Sequence, residues 1–255
     1  METLPLDILL NIIDLLAGGD GEDIKSLQIL SRTCKYMVPL CRKYLFSSLD
    51  INSKLLSNRF SDLLLKNPEI SRYVRRLNYD IYNPISDHEL NIFNMLKKSS
   101  SLQSIQLWSW SILDWKDFPE SIRSLLVSLI QLPTVTHLAI HSFKRFPAMA
   151  FSGCSNLIDL QLREIEFAFP EINQVIPHHK IPTPVSLYID KRTFGLAALL
   201  KSTSLNVNAG GPIVDFSCLR RACVELRGDF GQVIDLMKVT KQLEYFTIHA
   251  CISSE

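Results

Sequence analysis

Few side chains in this sequence could hold a metal, attack a bond or move a proton, and those few are scattered. The adjacent pair His178-His179 lies between Pro177 and Pro182, in a stretch that reads as a loop. Neighbouring residues of extended backbone point apart, so these two imidazoles do not converge on one zinc ion. The 6 cysteines form no CxxC pair: Cys34 and Cys41 fall in helical patterns, and Cys218 and Cys223 flank a basic segment. They read as reduced packing thiols, not as ligands or a disulfide framework. No Walker-type phosphate loop, GxSxG elbow or HExxH pair occurs, so the chain is expected to be no enzyme and to need no cofactor or metal. Trp108, Trp110 and Trp115 lie close enough together to suggest a ligand box. Trp110 and Trp115 are read instead as core or strand-edge aromatics.

Charge narrows the partners. Among 255 residues, 27 basic side chains face 26 acidic ones, which gives no general attraction for nucleic acid or an acidic membrane. The basic pairs Arg75-Arg76 and Arg220-Arg221 have acidic neighbours in Asp80 and Glu225, the pattern of paired surface charge. The apolar start is interrupted by Asp7, Asn11 and Asp14, has no basic residue before it, and is followed by no clean cleavage site. It therefore reads as neither a membrane span nor a signal peptide. With unpaired cysteines, the expected setting is the cytoplasm or nucleus. A hydrophobic share of 47% suffices for a large core, or for a small domain joined to a larger one.

The elements that must carry any site begin with Leu4–Leu16. Read as a helix, this stretch keeps its polar residues Asp7, Asn11 and Asp14 on one stripe and is apolar elsewhere. The apolar arc is roughly 220° wide, where about 100° serves an ordinary surface helix. A small domain cannot bury so much of one helix, so part of this arc is expected to be exposed. Pro5 suits a helix start, and Ala17 to Gly21 forms a turn no helix continues through. A second helix starts at Glu22 and sets Ile24, Leu27, Leu30 and Cys34 on one face. A third, around Pro39, turns Leu40, Cys41, Tyr44 and Leu45 inward, and Leu49 and Ile51 alternate as in a short strand.

Leu4-Pro5, Asp7, the aliphatics Ile8, Leu9, Ile12 and Leu16, then Leu27, Leu30, Ser31, Cys34 and Lys35, and finally Tyr44-Leu45-Phe46 follow one another in the order of an F-box. The segment resembles that motif, apart from a Gly18–Gly21 loop a few residues longer than usual. The resemblance implies docking onto a Skp-type adaptor, and through it a cullin, in an SCF-type ubiquitin ligase. The residues it implies as contacts are Leu4, Pro5, Ile8, Leu9, Ile12, Ile13, Leu16, Leu27, Leu30 and Leu45.

Beyond Ile51, an amphipathic helix carries Leu55, Leu56, Phe60, Leu63 and Leu64, and a short aliphatic phrase then recurs. It reads Val74-Leu77-Tyr79, Leu102-Ile105-Leu107, Val135-Leu138-Ile140, Leu157-Leu160-Leu162 and Leu243-Phe246-Ile248. Weaker copies centre on Leu187-Ile189, Leu205-Val207 and Val224-Leu226, with helical patterns such as Ile122-Leu125-Leu126-Leu129 between copies. The phrase resembles a degenerate leucine-rich repeat, and the whole resembles fungal F-box proteins. The expected fold is α/β: a three-helix F-box over residues 1–51, then an irregular leucine-rich-repeat solenoid over residues 52–255, with no capping helix after the last strand pattern. A doubly wound sheet was expected to need longer apolar strands and a glycine-rich phosphate turn.

Alternation along each strand turns the residues between the aliphatics outward, to what is the concave side in a solenoid. That column holds Gln106 and Trp108, His137 and His141, and Asp159, Gln161 and Arg163. It continues through Tyr188, Glu225, Arg227 and Tyr245. Mixed charge with aromatics suits a protein substrate. The expectation is thus a substrate-recruiting adaptor with two separate surfaces. The alternative is a non-catalytic scaffold whose N-terminal helices only cap the stack.

Overall fold

The computed structural model describes residues 5–17, 21–33, 35–81, 85–168, 181–200, 212–226 and 231–250. The chain opens with three helices, α1 (Leu6–Ala17), α2 (Gly21–Thr33) and α3 (Met37–Leu45). Ile13, Leu27, Met37 and Cys41 form their shared core, flanked by the partly buried Leu9, Leu16, Leu30, Leu40, Tyr44 and Leu45. This core is separate from that of the rest of the chain.

A single sheet makes up the body. Its strands are β1 (Ser48–Ile51), β2 (Arg76–Asp80), β3 (Ser104–Trp108), β4 (Leu113–Asp114), β5 (His137–Pro147), β6 (Asp159–Ala168), β7 (Ser186–Ile189), β8 (Arg221–Leu226) and β9 (Tyr245–Ala250). They lie in the order β1-β2-β3-β5-β6-β7-β8-β9, with β4 beside β5. All of these pairings are parallel. The described helices of the body are α4 (Lys54–Lys66), α5 (Asp87–Ser99), α6 (Glu120–Ile130), the short α7 (Ala197–Leu200) and α8 (Gly231–Val239).

This layout corrects the expected F-box followed by a leucine-rich solenoid. The body is a nine-stranded all-parallel α/β sheet, and one continuous hydrophobic cluster from Leu49 to Leu236 backs it. The aliphatic phrase marked strands correctly, because a strand buried on one side puts an apolar residue at every second position. Any strand with one buried face needs that pattern, so the phrase does not specify a repeat. Strand brevity, taken as an objection to a parallel sheet, proved no obstacle. The elements are also unequal: β5 and β6 run for 11 and 10 residues, whereas β7 has 4.

Register explains how short strands suffice. Leu49, Leu77, Ile105, Leu138, Leu160, Leu187, Ala222 and Phe246 stand side by side as one row across the sheet. Ile51, Tyr79, Leu107, Ile140, Leu162, Ile189, Val224 and Ile248 form a second. The buried residues of α4, α5 and α6 join the same cluster, so the helices cover this face. Each fully buried aliphatic side chain contributes about 1.5–3 kcal/mol.

α4 buries only part of the face its apolar residues suggested, with Phe60, Leu63 and Leu64 packing on the core of the body. Leu55 and Leu56 are exposed, whereas Ser57, Ser61 and Leu64 are buried. The reason lies in α5, where the fully buried Glu89 accepts hydrogen bonds from the Ser57 hydroxyl (3.2 Å), the Ser86 backbone N–H (2.6 Å) and the Ser86 hydroxyl (3.0 Å). A buried carboxylate must be supplied with donors, and α4 turns toward α5 to supply one. The Tyr79 hydroxyl faces the same carboxylate without a hydrogen bond of good geometry, and burial pushes its pKa up.

Midway along β5 and β6 the alternation changes phase. Ser142 and Glu164 both have positive φ, 64° and 53°, and the Ser142 hydroxyl donates to Glu164 Oε2 at 2.9 Å. After this step Phe143 and Ile165 face inward as partners. Phe143, Phe146, Phe151, Phe167, Trp115 and Phe118 then build an aromatic cluster with ring centroids 4.8–6.5 Å apart. Arg145, also at positive φ, pairs with Asp114 and fastens β4 to this bend.

Candidate functional site

Two surfaces stand out: the outside of the helical module and the outer face of the sheet. In the module, Ile13 is fully buried and Leu27 is 1% exposed. Both were expected to touch a partner; both are core, because three short helices need them to hold together. Leu9, Leu16, Leu30 and Leu45 are half-buried against that core. Ile8 and Ile12 are exposed, as is Pro5. Leu4 and Cys34 lie outside the described residues. Four further exposed aliphatics were not among the expected contacts: Leu15 at 79%, Ile29 at 65%, Ile24 at 50% and Leu6 at 48%. Ile24 had been set on the inner face of its helix, but the inner stripe of α2 narrows to Leu27 and Leu30. Ile8, Ile12 and Leu15, which share one side of α1, thus present an apolar stripe that the module's own core leaves uncovered.

On β2, β3 and β7 the inner residues are buried, whereas the outer face shows half-buried or exposed ones. Parallel sheets usually have both faces covered, so an open one offers polar side chains to a partner. Gln106, Trp108, His137, His141, Asp159, Gln161, Arg163, Tyr188, Glu225 and Tyr245 all stand on it, as expected. Arg227, Asn206, Asn208 and the pair His178-His179 lie outside the described residues.

The face holds two hollows. One, of about 430 Å³, lies over β5 to β9 and includes His137, Asp159, Tyr188, Arg221 and Tyr245 in its lining. There the Tyr188 hydroxyl donates to Glu225 Oε1 at 2.5 Å, and the Arg163 guanidinium stacks 4.6 Å from the Tyr188 ring centre. Burial and the Glu225 carboxylate together push the Tyr188 pKa up to about 12.

The second hollow, of about 500 Å³, is lined by Gln106, Trp108, Ser109, Trp110, His141, Ser142, Arg163, Glu164 and Asp190. Its acidic wall is tied down: Asp190 Oδ1 accepts from the Glu164 backbone N–H at 2.8 Å and from the Thr193 hydroxyl at 2.8 Å, and Arg192 pairs with Glu164. His141 Nε2 is buried there without a hydrogen-bond partner. Burial, aided by the Arg163 charge, lowers the His141 pKa to about 4, so its imidazole is neutral near pH 7.

At the mouth of this hollow, the ring centres of Trp108 and Trp110 lie 4.4 Å apart, and Trp110 is 72% exposed. Trp115 is core, as read from the sequence; Trp110 is neither core nor strand edge. It follows the end of β3 by two residues, and only the spacing Trp108-Ser109-Trp110 hinted at a pair. Across the strand from Trp108 stands Asp80. Burial, with the Asp50 charge nearby, raises the Asp80 carboxyl above its ordinary value, and the Trp110 indole N–H partly offsets this.

Among the described residues no three histidine, cysteine or acidic side chains cluster as a metal site. Cys154 is buried, and burial alone pushes its thiol up to about 12, far from a reactive thiolate. No described helix is long and apolar enough to cross a membrane. No protein-family model matches the chain, and a search of curated proteins returns no match.

Proposed function

We propose that the chain is a non-catalytic recruiting adaptor: its helical module docks onto a Skp-type adaptor of an SCF-type ubiquitin ligase, and its open sheet face holds a protein to be modified. The observation that carries this reading is the stripe of Ile8, Ile12 and Leu15, exposed on a module with its own small core. Apolar surface of this kind is costly in water and gains about 1.5–3 kcal/mol for each side chain a partner covers. Support from the sequence is the ordered run from Pro5 to Phe46 described above. The mechanism is proximity: two surfaces on one chain raise the effective concentration of the held protein near a ubiquitin donor. A cytosolic or nuclear setting fits the unpaired thiols of Cys154, Cys218 and Cys223.

Ile12→Asp tests this directly, because Ile12 is exposed and its loss leaves the core of the module intact. The variant is expected to lose co-purification with a co-expressed Skp adaptor while keeping a native circular dichroism spectrum. Undiminished binding by a folded variant would sink the docking assignment. Deleting residues 1–45 separates docking from capping: a docking module leaves a soluble body behind, whereas a cap leaves an aggregating one.

A further inference from the structure

Among the described residues no lysine or arginine stacks on the exposed tryptophan pair, and its surroundings say what kind of group belongs there. Strand order places Asp50 on β1 and Asp80 on β2, next to Trp108 on β3, with Trp110 stacked just beyond. Asn78 lies in the row of Asp50 and donates to its carboxylate at 2.5 Å. Both carboxylates therefore sit on the outer face, on the side of the tryptophans away from Arg163.

We propose that Trp108 and Trp110, with Asp80 and Asp50, form a receptor for a lysine or arginine side chain in an extended segment of the recruited protein. This deepens the recruiting reading and rests on it for the source of that segment. Indole faces are the strongest aromatic partners for a cation, at exposed sites as well as desolvated ones. A cation there would also offset what raises the Asp80 carboxyl, which is burial first and the nearby Asp50 charge second. An acidic or neutral segment meets no complementary charge at this corner. Among the described residues the outward charges of the face lean the same way, with Asp50, Asp80, Asp159, Asp190 and Glu225 against Arg76, Arg163 and Arg221. Stacking on tryptophan also suits single-stranded nucleic acid, but that needs a basic track for its phosphates, and Asp50 and Asp80 oppose one.

The test titrates the full chain with four probes and follows tryptophan emission. The probes are a peptide of alternating glycine and lysine, its lysine-acetylated form, its glutamate counterpart and a short oligothymidylate. Only the free lysine peptide is expected to shift the emission, with affinity falling as salt rises. Trp110→Ala should weaken it about tenfold, the order a cation–aromatic contact supplies. Asp80→Asn, which keeps the shape and removes the charge, should weaken it several-fold. Equal binding of the acetylated peptide, preferential binding of the oligothymidylate, or folded Trp110→Ala and Asp80→Asn variants that bind like wild type would overturn the proposal. Ile12→Asp should leave peptide binding intact and Trp110→Ala should leave adaptor co-purification intact, so loss of one function identifies which reading has failed.

Discussion

The helical module and the sheet body solve the problem of burial in opposite ways. The module rests on four buried side chains and leaves Ile8, Ile12 and Leu15 in water, whereas the body stacks two unbroken rows of apolar residues across its strands. The two meet through little: Arg42 reaches Glu69 at 3.4 Å, and Phe46 packs on the body just after Leu45 packs on the module. A unit whose core is barely sufficient can keep an apolar surface for a partner, because covering that surface also completes its stability. A unit with a continuous core presents polar and aromatic side chains on a rigid support instead. The edge strand β1 belongs to the second kind, although sequence reading grouped Leu49 and Ile51 with the helices.

Substitutions in the two cores should break this contrast most strongly. Phe143→Ala removes a fully buried ring from the aromatic cluster and is expected to cost about 3–5 kcal/mol, lowering the main unfolding transition. Ile13→Ala, worth about 2–5 kcal/mol locally, should melt the module and reduce helical dichroism while leaving the main transition in place. A main transition that moves equally with both variants would show one cooperative unit instead of two.

A pH experiment sharpens the account of the body alone. The folded pKa of His141 lies near 4, below the ordinary 6.5, with Arg163, Glu164 and Asp190 as the charges acting on it. Between those values the unfolded chain takes up a proton that the folded chain refuses, so stability is lost as pH falls from about 6.5 toward about 4. His141→Gln should flatten that loss in urea midpoints compared at pH 7 and pH 5. An unchanged acid slope would mean that His141 is solvated enough to protonate in place. The smallest effect is expected at the junction. Arg42→Ala removes an exposed ion pair and should change stability by no more than about 1 kcal/mol. A larger change would reveal a broader contact between module and body.

The sequence made the strands legible because buried aliphatics two apart, such as Leu160 and Leu162, admit few other readings. It exposed the surplus of α1 for the same reason, since no small unit could cover that arc. The layout was not legible, because the same short phrase serves a repeat stack and any other sheet buried on one face. Nor were the directions of Leu55 and Leu56, which were set by a carboxylate on another helix, Glu89. Half of the candidate site followed from alternation, as with Gln106 and Trp108. Trp110 did not, because it stands past the end of its strand.

Ser142 and Glu164 have a consequence best put in terms of reading frames. On β5 the even-numbered residues Leu138 and Ile140 point inward before the step, and the odd-numbered Phe143 does so after it. Each strand thus carries a frameshift in its alternation, and the two shifts fall at the same level, so Phe143 and Ile165 still match just past them; the register slips only further on, where Phe146 meets Phe167. A shift on one strand alone would set Phe143 against the wrong face of its neighbour and scatter the rings beneath. Serine and glutamate, not glycine, occupy these left-handed positions, and their mutual hydrogen bond ties the two shifts together. One pair of residues therefore keeps two messages in phase: the polar lettering of the upper face and the aromatic lettering of the lower core.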